Sequence, residues 1–122
     1  MQLLQRRIHA FSHERGWLKN VRPASYVKSI IIEAAELLEA FQWSHPTAKQ
    51  LLLNPKALSV VKRELADVLI YCINLANLLG LDIEEIIEEK MEYNDSKYPA
   101  DLLKEDPSMY LQIKHSYRRW EL

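Results

Sequence analysis

Residues 26–43 read Tyr26-Val27-Lys28-Ser29-Ile30-Ile31-Ile32-Glu33-Ala34-Ala35-Glu36-Leu37-Leu38-Glu39-Ala40-Phe41-Gln42-Trp43, and the spacing within them decides the fold. Glu33 and Glu36 stand three apart, and Trp43 follows seven after Glu36. At 3.6 residues per turn such positions share one side of a helix. Tyr26, Ser29, Ile30, Leu37 and Ala40 lie on the same stripe, whereas Glu39 projects with Lys28 toward another side and is expected in solvent. A second apolar segment repeats the arrangement with Glu64, Asp67 and Tyr71, flanked by Val60, Val68, Asn74 and Leu75.

A single acid pair at this spacing is ordinarily a solvated helix flank. Two such pairs, each on an apolar helix and each aligned with an aromatic, point instead to ligation. Carboxylates converging in a helical core repel one another and are poorly hydrated, which is costly unless a cation neutralises them. With neither histidine nor cysteine in the set, Glu33, Glu36, Glu64 and Asp67 suit magnesium, or manganese in its place, better than zinc. Trp43 and Tyr71 taken alone are core or interface aromatics. Beside a metal cluster they become candidate walls of a nucleobase slot, since stacking is worth about 1–3 kcal/mol per base. Asn74 reads equally as a liner of that groove or as a surface residue.

Working outward, helix signals recur and strand signals do not. Leu4, Ile8 and Phe11 place an amphipathic helix over 3–13. Pro23 and Ser25 start a second helix that the periodicity carries to Trp43, before Ser44-His45-Pro46 ends it. A short helical turn is expected through Leu51–Leu53. Asn54-Pro55 then caps a long helix reaching Leu79 and stopped by Gly80. Asp82 with Glu85 reads as a capping box for a helix to about Asp95, and Tyr98-Pro99 marks its exit. Asp106-Pro107 is placed to cap a last helix with Met109, Leu111 and Ile113. Gly16 and Gly80 are the only glycines, too few for a turn-rich β domain or a glycine-rich phosphate loop. The fold class is therefore all-α, an antiparallel helical bundle.

The 122 residues suffice for one core, with a catalytic domain over 1–99 and a C-terminal extension over 100–122. Net charge of −1 gives no electrostatic reason to bind nucleic acid or anionic membrane. No run approaches the ~20 apolar residues that cross a bilayer, and the start carries no secretory pattern. The lone Cys72, in an apolar run, allows no internal disulfide. A cytoplasmic location is expected.

Positive charge must then be local. Ile83, Ile86 and Ile87 form an apolar stripe that Lys90 and Asn94 continue at helical spacing. Such a lysine either snorkels to solvent or, facing inward near the acids, contacts a phosphate. Glu84, Glu85, Glu88 and Glu89 read as a solvated face. His9, His13, His45 and His115 have no ligand spacing, and the absence of Glu-x-x-His weighs against a di-iron bundle.

Three stretches together resemble the MazG-like all-α nucleoside triphosphate pyrophosphohydrolases, and within them the small dCTP pyrophosphatase-like members. They are Glu33-Ala-Ala-Glu36…Phe41-Gln-Trp43, Glu64-Leu-Ala-Asp67-Val-Leu-Ile-Tyr71, and Lys90-Met-Glu-Tyr-Asn94…Tyr98-Pro99. The resemblance implies magnesium-dependent hydrolysis of a (deoxy)nucleoside triphosphate to monophosphate and pyrophosphate, in nucleotide-pool house-cleaning. It implies Glu33, Glu36, Glu64 and Asp67 as metal ligands, with Glu33 or Glu36 also activating water. It places Trp43 and Tyr71 beside the base, and Lys90, Asn94 and Tyr98 on phosphates or the sugar–base edge. It also implies a homodimer or homotetramer, with 100–122 as an interface or lid element. Departures from the pattern are Ile32 where many members carry a further glutamate, Lys97 in place of an arginine, and Val21-Arg22-Pro23-Ala24-Ser25 in place of His-x-Pro-Arg-Asn. The last leaves Arg22 as the candidate phosphate contact there. A non-catalytic nucleotide sensor, or a helical partner-binding protein on the same scaffold, is the competing expectation.

Overall fold

Helices α1 (Leu3–Glu14), α2 (Pro23–Glu39), α3 (Ala48–Leu52), α4 (Pro55–Leu78), α5 (Ile83–Lys97), α6 (Ala100–Glu105) and α7 (Met109–Arg118) follow in order, with no strand among the described residues. The computed structural model describes residues 3–118. They form two compact units, one ending at Ile83 and the other starting at Glu84.

The helix starts follow the local chemistry. Pro23 occupies the first turn of α2, where its missing N–H costs nothing. Asn54 caps α4 by accepting from Ala57 N at 3.1 Å. Thr47 and Gln50 close a reciprocal capping box that makes α3 a defined five-residue helix. Gly16 and Gly80, at φ 70° and 68°, take the left-handed conformation that lets the chain leave α1 and α4. α2 ends at Glu39, short of the expected Trp43. There Ala40 N, Phe41 N and Gln42 N bond to the carbonyls three residues back, tightening the last turn before Pro46. Helix α6 was not expected from its polar sequence, and α7 extends the expected last helix to Arg118.

In the first unit α1 and α2 both pack on α4. Tyr26 at the start of α2 meets Tyr71 late in α4, with ring centroids 6.4 Å apart. Further along α2, Glu33 meets Glu64 and Asp67, earlier in α4. The two helices therefore run antiparallel. On α1, Gln5 pairs with Asn77 and Ser12 with Asn74, so α1 is antiparallel to α4 as well.

Gln5 is 1% exposed and forms the tightest node of this unit. Its Nε2 donates to Asn77 Oδ1 and Leu81 O, each at 3.0 Å. Asn77 Nδ2 donates back to Gln5 O at 3.0 Å, and Ile83 N donates to Gln5 Oε1 at 2.9 Å. One side chain from α1 thereby satisfies a free N–H at the start of α5 and a carbonyl beyond α4.

The apolar interior is thin. Tyr26 and Ala76 are the buried hydrophobic residues among those described, while Val27, Ile31 and Leu38, at helical spacing on α2, are 47%, 66% and 66% exposed. Leu65 and Leu69 on α4 are 45% and 51% exposed. In the second unit Lys97 is buried, its ammonium 4.8–5.5 Å from the ring centres of Tyr93, Tyr98 and Tyr117. Tyr93 and Tyr117 meet edge to face at 6.1 Å, which holds α7 to α5. No single helix among the described residues is long and apolar enough to cross a membrane.

Candidate active site

Antiparallel packing of α2 on α4 brings the two acid pairs to one level. Glu33, Glu64 and Asp67 each offer a carboxylate oxygen within 4.8 Å of the others. Glu36 lies close enough to act on both Glu33 and Glu64 through charge and hydrogen bonding. Loss of hydration pushes the Glu33 carboxyl above its ordinary range, and Glu36, Asp67 and Glu64 add to the effect. Glu64 is pushed the same way, first by loss of hydration and then by Glu36 and Asp67, with Arg63 opposing. The assembled group is thus short of positive charge.

Glu64 Oε2 is the one buried side-chain oxygen or nitrogen without a hydrogen-bond partner among the described residues. Such an orphaned atom is a standing cost unless something completes it. An all-oxygen donor set around an unpartnered carboxylate oxygen fits magnesium or manganese.

Asp67 also lines a groove of about 860 Å³. Leu4, Ile8 and Phe11 of α1 form one wall, with Arg7 beside them. Trp17, Tyr26 and the α4 residues Ile70, Tyr71, Ile73 and Asn74 complete it. Its size falls in the range of small-molecule sites, and its lining is mostly apolar with a few polar groups. Phe11 and Trp17 meet edge to face at 5.8 Å. Burial, and then the neighbouring Tyr71, hold the Tyr26 phenol above its ordinary pKa.

Of the expected aromatics, Tyr71 stands in this groove, whereas Trp43 lies beyond the end of α2 and is 90% exposed. Arg22 is the exposed residue preceding α2. Lys90 and Asn94 lie on α5 and Tyr98 just after it, in the second unit. Lys90 Nζ sits 4.4 Å from the ring centre of Tyr93. Phe11, Ser12, Trp17 and Tyr26 are groove residues that spacing did not single out as a site. The available signal was the apolar row of α1 followed by an aromatic just past Gly16.

The MazG-like family pattern matches residues 28–110. Human dCTP pyrophosphatase 1 is 32% identical over 114 residues, which cover 90% of this chain and 66% of the human protein. Mouse dCTP pyrophosphatase 1 is 33% identical over 110 residues, covering 88% and 65%. The chain therefore spans just under two thirds of the length of these relatives. The crystal structure of a pyrophosphatase from Archaeoglobus fulgidus superposes with a TM-score of 0.69 at 38% identity, over 79% of this chain and 89% of that one. With its all-helical fold, its paired acids and the extent of these matches, the chain belongs to the MazG-like family.

Proposed function

We propose that the chain hydrolyses a (deoxy)nucleoside triphosphate to the monophosphate and pyrophosphate, as a magnesium-dependent house-cleaning enzyme of the cytoplasm. The observation that carries this reading is Asp67, which belongs both to the carboxylate cluster and to the aromatic-lined groove. A nucleotide lying with its phosphates at the acids and its base in the groove uses both features at once. The names of the relatives, dCTP pyrophosphatase 1 and a pyrophosphatase, support the same reaction class.

Glu33, Glu36, Glu64 and Asp67 would hold magnesium or manganese. When bound, the ion offsets charge on the triphosphate and makes water more acidic. Glu33 or Glu36 takes the proton from the water attacking the α-phosphorus. A new P–O bond forms from that water, the bond to the bridging oxygen breaks, and its electron pair leaves with pyrophosphate. Tyr71 and Tyr26 face the base, and the apolar groove keeps bulk water from it. Lys90, Asn94, Tyr98 and Arg22 are assigned to phosphates or the sugar–base edge, and Trp43 to the base, on the family resemblance. Residues 100–122 are assigned an interface or lid role on the same footing.

The bare apolar row Val27, Ile31 and Leu38 supports self-association, since monomers rarely leave such a stripe uncovered. A homodimer or homotetramer would cover it. Incubating the protein with magnesium and each common (d)NTP, then assaying pyrophosphate, tests the reaction. Release from at least one, abolished in Asp67→Asn, is expected. Nucleotide binding with no pyrophosphate from any would replace the hydrolase reading with that of a sensor.

A further inference from the structure

Within the groove sits a polar pair that the hydrolytic chemistry leaves unused. Ser12 on α1 and Asn74 on α4 are 4% and 8% exposed, and both line the groove. Ser12 Oγ donates to Asn74 Oδ1 at 3.3 Å. That bond ties the carboxamide oxygen and does not involve the amide nitrogen, whereas the enclosed atom lacking a partner among the described residues is Glu64 Oε2. A primary amide carries two donors, and as part of the groove lining Asn74 can offer them to a ligand's acceptor. Packing alone needs neither polar group, because the neighbours Phe11, Ile70 and Ile73 are apolar.

The placement along α4 is also informative. Asn74 follows Asp67 by seven residues, two turns on the same face, or about 10.5 Å along the axis. A nucleotide whose α-phosphate lies at the carboxylates would have its sugar and base span that interval. Tyr71, between them in sequence, would then stand beside the base.

We propose that Ser12 and Asn74 read the edge of the nucleobase and set which base the groove accepts. Asn74 Nδ2 donates to a carbonyl or ring-nitrogen acceptor on that edge. Ser12, by holding Oδ1, fixes which end of the carboxamide points at the ligand. The inference rests on the reading that the groove takes the base of a nucleotide. A site built around a buried donor discriminates strongly against ligands that cannot answer it, whereas an apolar wall discriminates weakly. Thymine O4, cytosine N3, adenine N1 and guanine O6 are all acceptors, so selection rests on which of them reaches Asn74 Nδ2 in the seated nucleotide.

The test compares wild type with Ser12→Ala and Asn74→Leu, each first shown to be folded by circular dichroism and thermal melting. Two readouts run in parallel. One is kcat/KM for dCTP, dTTP, dATP and dGTP with magnesium. The other is quenching of intrinsic tyrosine and tryptophan fluorescence by the corresponding monophosphates, which needs no turnover. Asn74→Leu should lower kcat/KM and affinity for the preferred base by about tenfold and flatten the preference. Ser12→Ala should shift both the same way by less, and inhibition by inorganic pyrophosphate should be unchanged in either variant. An unaltered base preference in folded Asn74→Leu overturns the proposal and leaves the hydrolase reading standing. If Asn74→Leu does not fold, Ser12→Ala decides, and an unaltered preference there overturns it. Should wild type release no pyrophosphate, the hydrolase reading fails and the quenching arm decides alone. Selective quenching that the variants lose upholds the base-edge assignment, and no quenching by any monophosphate overturns it.

Discussion

Glu33 on α2 and Asp67 on α4 present carboxylate oxygens within 4.8 Å of each other and of Glu64, with Glu36 acting on the same group. Acids held this close by helix packing are arranged by the fold at the expense of its own stability. Asp67→Asn and Glu36→Gln should therefore lower turnover by at least about 100-fold while leaving helix content unchanged. Metal-free Asp67→Asn should melt no lower than wild type, and up to roughly 5 °C higher. A purified Asp67→Asn protein with full activity would remove the cluster from the mechanism.

The metal-free protein should lose stability as pH rises. Glu33 and Glu64 hold their protons to higher pH in the folded chain than when unfolded. Between the ordinary carboxylate range and those raised values the folded state binds more protons, so unfolding becomes easier with increasing pH. Below that range the contribution of these groups is constant. Adding magnesium should displace the protons and reverse the trend. Urea midpoints measured between pH 4 and 8, with chelator and with magnesium, check this. A midpoint that climbs with pH in chelator would count against it.

Gln5→Ala should be among the more damaging single changes in the first unit. It strips partners from Asn77, from Leu81 O and from Ile83 N at once. With about 1–3 kcal/mol for a buried polar group left unmet, a total loss of about 2–4 kcal/mol is expected. Equilibrium urea unfolding measures it, and a loss below about 1 kcal/mol would show that water replaces the side chain.

The proposed homo-oligomer should dissociate in Ile31→Glu without unfolding of the helices. Ile31 is 66% exposed in the middle of the Val27–Leu38 row, so a charge there meets solvent in the single chain but apolar surface in an oligomer. Sedimentation velocity should show smaller species for the variant. An unchanged sedimentation coefficient would count against self-association through this row.

The helical framework and the acid cluster were legible in the sequence because both depend on short-range pattern. Pro23, Asn54-Pro55 and Gly80 mark helix ends by backbone chemistry alone, and all act where expected. The i, i+3 acids converge because one face of α2 meets one face of α4. Trp43 was harder, since the periodicity continues past Glu39 while the hydrogen bonding tightens into a turn. Gln5 reads as an ordinary polar residue in a first turn, and nothing local reveals partners 72 to 78 positions away. Ser12 was missed for the same reason, its partner lying 62 positions on. Helix α6 escaped notice because its short polar sequence has little apolar periodicity.

The Gln5–Ile83 bond also orders events during synthesis. Residue 5 leaves the ribosome early, yet the amide it receives is made 78 positions later. Asn74 and Asn77 give α1 its first partners on α4, and the last link waits a further six positions for Ile83. Closure of the first unit is thus timed by the arrival of the α4–α5 turn, and truncations ending before residue 83 should be the species most prone to chaperone capture.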